Sequence, residues 1–255
     1  MRENKEARGE RTLRLVEEQP IVKISGLSKA FGEKKVLDNI DLEIPQGKII
    51  GLLGPNGSGK TTLIKILSGF CADYEGEVLI DGKRPGSAAG KAKVAYLPDK
   101  DGLPENLPAD EIIKIYDTFF DDFDEERCRR LLDIFGIDEK TVAGELSKGE
   151  ADKLKISLLM SRDARLYLLD EPIGGIDVEA RQHVLDLILE NFNPCGSMII
   201  VTHLVRDIER LFDSVIILKD GKTTMYDDSD AIRECYGGTL EEAVISIFRL
   251  SLIHI

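Results

Sequence analysis

Ile49-Ile50-Gly51-Leu52-Leu53-Gly54-Pro55-Asn56-Gly57-Ser58-Gly59-Lys60-Thr61-Thr62 decides the fold. The stretch opens with an apolar run of strand length. It continues through G-x-x-x-x-G-K-[ST] and passes into Thr61–Leu67, which reads as a helix. Both flanks are those a phosphate-binding loop requires. The glycines let the backbone wrap a phosphate with its N–H groups turned inward. The helix start adds the positive end of its dipole. Lys60 brings a positive charge toward the β- and γ-phosphates, and the Thr61 hydroxyl is a ligand type for Mg²⁺.

Further along, Leu166-Tyr167-Leu168-Leu169-Asp170-Glu171 is a continuous apolar run ending in two carboxylates. Such a run suits a parallel strand covered on both faces, and its C-terminal tip is where α/β sheets bind ligands. Asp170 is placed to hold a Mg²⁺ shell. Glu171 is placed to orient and deprotonate a water attacking a γ-phosphate. Helix Val178–Phe192, strand Met198–Val201, helix Arg206–Phe212 and strand Ser214–Leu218 follow, so strands alternate with helices as in an α/β sheet. Upstream, Ile21–Ile24, Ile40–Ile44 and Glu77–Ile80 read as short strands, residues 85–93 as a small-residue loop and Val94–Leu97 as another strand. Residues 103–162 lose the strand texture and carry three helical patterns, the last opening at Ser147. The expected organisation is a charged flexible tail (1–19), a discontinuous ATP-binding core (20–102 and 163–227), a helical subdomain (103–162) and a C-terminal helical segment (228–255).

Composition narrows the class of partner. Thirty-four basic against forty-seven acidic residues give a net charge of −13, which disfavours binding to nucleic acid or anionic lipid through bulk charge. No run reaches the roughly 18–20 apolar residues of a membrane helix, and the charged start lacks the apolar centre of a secretory signal. Cys71, Cys128, Cys195 and Cys235 are far apart with no C-x-x-C pair, which fits a reducing cytoplasm rather than a disulfide framework or zinc site.

Over about residues 21–225 the ordered motifs resemble the nucleotide-binding subunits of ATP-binding cassette (ABC) proteins. Leu146-Ser147-Lys148-Gly149-Glu150 is similar to the family signature LSGGQ, Gly174-Gly175-Ile176-Asp177 to its D-loop, and Thr202-His203 to its switch histidine. Phe31 stands where the family places an aromatic against adenine. The resemblance implies an α/β P-loop fold: a RecA-like core sheet with an antiparallel β layer and an inserted helical subdomain. It implies a head-to-tail dimer, homo- or heteromeric, with two Mg²⁺-ATP sandwiched between phosphate loop and signature. Gly54, Pro55, Asn56, Gly57, Ser58, Gly59, Lys60, Thr61 and Thr62 would then bind nucleotide from one subunit, and Ser147 and Gly149 from the other. His203 would hold the attacking water with Glu171, and Asp177 would link the two sites. Plainer readings stand beside these: Ser147 and Asp177 as helix N-caps, His203 as a strand-end histidine, Phe31 as core.

Two departures matter. The family's glutamine after the strand leading to the helical subdomain is replaced in Tyr96-Leu97-Pro98-Asp99, and Gln19, Gln46 and Gln182 all lie elsewhere. Asp99 is expected to couple through Mg²⁺, since its charge repels a bare γ-phosphate. In the signature, Lys148 and Glu150 replace glycine and glutamine, and Glu150 is expected to point outward toward Lys153 or Lys155. The resemblance further implies an ATPase that drives a separate membrane permease from the cytoplasmic face, with export favoured by the short C-terminus. Leu103, Pro104, Leu107, Tyr116, Phe119 and Phe120 are candidate permease contacts or, equally, internal packing of the insert. A soluble ABC-type ATP switch is the alternative function.

Overall fold

In the computed structural model, which describes residues 19–99 and 102–250, the chain enters through a long antiparallel pair, β1 (Val22–Phe31) and β2 (Lys34–Ile44). These strands run longer than the short apolar cores Ile21–Ile24 and Ile40–Ile44 suggest. Register shifts in β1 interrupt the alternation on which the sequence reading relied. The chain then crosses through β3 (Ile49–Leu53) and the phosphate loop into α1 (Lys60–Leu67). β4 (Glu75–Ile80) returns to the free side of β1, completing a three-stranded antiparallel sheet ordered β2-β1-β4.

The loop over 85–93 contains one helical turn, α2 (Ala88–Lys91), capped by the Ser87 hydroxyl accepting from the Gly90 N–H at 3.0 Å. β5 (Val94–Leu97) leads to three helices: α3 (Ala109–Phe119), α4 (Glu125–Phe135) and α5 (Lys148–Met160). The chain rejoins the core through β6 (Leu166–Asp170), α6 (Val178–Glu190), β7 (Ser197–Val201), the short α7 (Val205–Ile208) and β8 (Ser214–Lys219). An additional strand, β9 (Lys222–Asp228), pairs antiparallel with β8. Its polar sequence KTTMYDD carries no buried face, which is why apolar patterning does not reveal it. α8 (Ser229–Tyr236) and α9 (Leu240–Leu250) close the described chain. The charged tail and the terminal Leu252–Ile255 lie outside the described residues.

The second sheet is ordered β5-β6-β7-β3-β8-β9, parallel except for β9. Every residue of β3, β6 and β7 is buried, as expected for parallel strands covered on both faces. One apolar cluster fills the space between the two sheets and α1, joining Leu27, Leu37 and Val78 to Leu52, Ile64 and Leu168. Another lies on the opposite face, where Ile200, Val184 and Phe212 meet. Gly51 is required there: a Cβ would stand 2.6 Å from the Phe212 ring. This is the expected α/β P-loop architecture with an antiparallel layer and inserted helices.

The three inserted helices have a core of their own, including Ile112, Ile113, Cys128, Leu132, Leu154 and Leu158. Leu103, Leu107, Tyr116 and Phe120 pack against it, and Tyr116 stacks on Phe120 and Phe123 with centroids 5.5 and 5.7 Å apart. Internal packing therefore accounts for four of the six residues weighed as contacts, while Pro104 and Phe119 stay exposed. Arg162 joins this body to the sheet. Its buried guanidinium donates to the Ala92 and Val94 carbonyls at 2.9 and 3.1 Å and to both oxygens of Asp122 at 2.7 and 3.1 Å. It also stacks 3.8 Å from the Phe120 ring centre.

Candidate functional site

The phosphate loop is bent by its glycines. Gly57 and Gly59 hold φ of 80° and 109°, and a Cβ on Gly59 would stand 2.9 Å from the Val36 carbonyl oxygen. Lys60 is nearly buried, and its ammonium donates to the Gly54 and Pro55 carbonyls at 2.7 and 3.0 Å. Burial pulls its pKa down, while Glu171 and Asp170 oppose the shift. The cation is thus positioned over the loop by the loop's own backbone. The Ser58 hydroxyl is buried without a hydrogen-bond partner among the described residues.

Across the cavity, β6 delivers two carboxylates with different surroundings. Asp170 is buried, and its pKa is pushed up to about 6 by burial first, then by the charges of Asp99 and Glu171, with Lys60 and Lys65 opposing. Glu171 leaves the strand with φ 54°, a left-handed conformation costing a side-chain-bearing residue roughly 1–2 kcal/mol. That turn aims its Oε2 to accept from the Thr202 hydroxyl and the His203 N–H, both at 3.2 Å. Its Oε1 is buried without a hydrogen-bond partner among the described residues, 3.6 Å from His203 Nε2.

Asn56, Gly57, Gly59, Lys60, Thr61, Thr62, Asp99, Asp170, Glu171 and His203 all line one open cavity of about 580 Å³. Gly54, Pro55 and Ser58 complete the loop beneath it. Lys34, Val36, Lys65 and Tyr96 also line it, and the sequence reading did not select them. Lys65 had a signal, since it follows Thr61 by one helical turn. Tyr96 did not, because only the pairing of β5 with β6 brings it beside Asp170. Burial and those neighbouring acids push its phenol up to about 12.

Phe31, Ser147, Gly149 and Asp177 lie off this cavity lining. Phe31 is 56% exposed, with the Lys29 ammonium 4.7 Å from its ring centre, so it is not core. Asp177 starts α6 but makes no side-chain cap hydrogen bond. Ser147 caps α5 in a reciprocal box: its hydroxyl accepts from the Glu150 N–H, and Glu150 Oε2 accepts from the Ser147 N–H at 2.9 Å and the hydroxyl at 2.6 Å. Glu150 therefore folds back onto Ser147 instead of pointing away, and Lys155 pairs with Asp152. The two hydrogen bonds from Ser147 hold the Glu150 pKa down.

Asp99, Asp170 and Glu171 face the Lys60 loop as an excess of negative charge, and Asp170 is already protonated more readily than a free acid. No three carboxylates or imidazoles among the described residues form a metal cage, but Asp99, Asp170 and the Thr61 hydroxyl line the same cavity and are oxygen donors of the type Mg²⁺ takes, with phosphate oxygens and water to complete its shell.

The ABC transporter family pattern matches residues 37–174, more than half of the chain. An uncharacterized ABC transporter ATP-binding protein of Methanocaldococcus jannaschii is 35% identical, over 82% of this chain and 78% of its own length. The SkfA peptide export ATP-binding protein of Bacillus subtilis is 32% identical, over 79% of this chain and 87% of its own. A solved structure of the ATP-binding subunit of an ABC transporter superposes with a TM-score of 0.82 at 26% identity, covering 89% of this chain and 99% of that one. Phosphate loop, paired carboxylates and His203 in one cavity agree with those likenesses, and the chain belongs to the ABC transporter family as an ATP-binding ATPase subunit.

Proposed function

We propose that this subunit hydrolyses Mg²⁺-ATP at the Lys60 cavity and transmits the resulting motion to a separate integral membrane permease, for export. The observation that carries the reading is the convergence of Lys60, Asp170, Glu171 and His203 on one cavity above the phosphate loop. In it, Lys60 and the loop N–H groups grip the β- and γ-phosphates. Glu171 takes a proton from the attacking water, its carboxylate held by Thr202 and His203. Asp170, Asp99 and Thr61 would hold Mg²⁺, which when bound neutralises charge developing on the phosphates. Phe31 would stack on adenine.

The cavity is open, and a second cassette, a copy or a relative, would close it with Ser147 and Gly149 at the start of α5. Asp177 would connect the two sites. The peptide export role of the Bacillus subtilis relative supports export. No described helix is long and apolar enough to cross a membrane, so attachment to the cytoplasmic face would run through the permease. The soluble-switch alternative is not favoured, because the Bacillus subtilis relative is a peptide export protein.

The test pairs Lys60→Ala with Glu171→Gln. Lys60→Ala is expected to lose ATP binding, and Glu171→Gln to retain ATP with little phosphate release. Parental binding and cleavage by Lys60→Ala would overturn the assignment. Co-purification with a co-expressed permease tests the coupling.

A further inference from the structure

Beyond the residues that meet nucleotide, Arg181 occupies an unusual place. It lies on the first turn and a half of α6, largely buried, with its guanidinium reaching both the preceding loop and helix α7. Nε donates to the Ile176 carbonyl at 3.1 Å, in the loop that carries Asp177. Nη1 donates to Asp207 Oδ2 at 2.6 Å, on α7, four residues past His203.

Followed atom by atom, these bonds form a closed circuit that returns to Glu171. The Asp207 N–H donates to the Leu204 carbonyl at 3.2 Å, and the Leu204 N–H to the Thr202 hydroxyl at 2.9 Å. The Thr202 hydroxyl and the His203 N–H both donate to Glu171 Oε2. On the other side, the Gly174 N–H donates to the Glu171 carbonyl and the Ile176 N–H to the Ile173 carbonyl, each at 3.2 Å. The circuit then returns to Arg181 through the Ile176 carbonyl. Two side chains span distant segments in the ring: the Glu171 carboxylate, which meets Thr202 and His203 directly, and the Arg181 guanidinium, which closes the far side through Asp207.

We propose that Arg181 is a positioning residue for ATP hydrolysis: by tying the Ile176 carbonyl to Asp207 it fixes the relative placement of the Glu171 carboxylate and the His203 loop. This rests on the reading of Glu171 as the base. Arginine suits the task because its planar fork meets two acceptors at once, whereas a lysine ammonium on one flexible stem cannot reproduce both directions. Glu171 is held in a left-handed turn, so its aim depends on surrounding contacts rather than on its own backbone preference. Releasing Arg181 lets the two loops drift, and small misplacements of a reacting group are costly to rate.

The experiment compares Arg181→Met, Arg181→Lys, Asp207→Asn and the Arg181→Met/Asp207→Asn pair in steady-state ATP hydrolysis, with ATP affinity measured separately. Arg181→Met is expected to lower kcat by about tenfold or more while KM and ATP affinity stay within about twofold. Arg181→Lys, keeping one limb, falls between. The double variant loses little beyond Arg181→Met, because both changes cut one circuit. Asp207→Asn, a mild change at a half-exposed site, carries the test if Arg181→Met does not fold. Overturning results are an unchanged kcat in Arg181→Met and in Asp207→Asn, additive losses in the pair, or KM rising in step with a falling kcat. A wild-type subunit that hydrolyses ATP in a Lys60-dependent way while Arg181→Met matches it would sink this inference alone.

Discussion

Asp170→Asn makes a demanding test, because it is expected to disable the subunit while stabilising it. Burial first, and then the like charges of Asp99 and Glu171, push the Asp170 carboxyl up from 3.8 to about 6. A raised acid stabilises the fold in its protonated form. That stability is fully present below pH 3.8 and is lost as pH climbs through about 6, so above pH 6 ionised Asp170 is a standing cost. Two pH units correspond to about 3 kcal/mol, at about 1.4 kcal/mol for each tenfold change in proton affinity. The amide of the variant still has to be buried, which leaves a net gain of about 2 kcal/mol. For a chain of this size that is a rise in Tm of about 4–8 °C. Thermal unfolding in EDTA at pH 8 measures it; at pH 4.5 the protonated parent regains about 2 kcal/mol, so the difference should fall to near zero. Adding Mg²⁺-ATP should raise the Tm of the parent and not of the variant. A variant no more stable than the parent at pH 8, or one whose gain does not change with pH, would refute the argument that burial and neighbouring acids destabilise this carboxylate.

The remaining predictions concern the two departures in the motifs. Glu150→Gln removes a negative charge held on the Ser147 hydroxyl and N–H, and on the proposed reading that hydroxyl would meet a γ-phosphate across a dimer. ATP-driven association, followed by sedimentation, should tighten about three- to tenfold at low salt and less at high salt; weaker association would count against the charge argument. Asp99→Ala should lower kcat at saturating Mg²⁺-ATP and move the acid limb of the pH–rate profile downward, because Asp99 is one of the charges that raise the Asp170 pKa. An unchanged rate and profile would remove Asp99 from the reaction.

The parts of the fold legible in the sequence are those whose physics is local. β3, β6 and β7 announce themselves because a strand covered on both faces must be apolar throughout. The phosphate loop is legible because a turn around an anion needs glycine at set positions. β9 was invisible because an edge strand of KTTMYDD buries almost nothing. Glu150 departs from its expected outward orientation for a different reason. Ser147-x-x-Glu150 is also a capping box, and the local hydrogen bonds of a helix start prevail over the outward orientation expected from the family signature. Arg181 and Tyr96 could not have been singled out, since their partners are assembled by the pairing of distant segments.

Arg162 has a mechanical consequence. It sits just past the C-terminal end of α5, pinned to the Ala92 and Val94 carbonyls, while Ser147 sits at the other end. The 13 residues of α5 make a rod of about 20 Å. A swing of roughly 10° about the pinned guanidinium would carry Ser147 through roughly 3 Å, the span of one hydrogen bond. Contacts near the fulcrum would scarcely change while those at the tip are made or broken outright, so α5 would act as a lever whose long arm reports on a neighbouring phosphate.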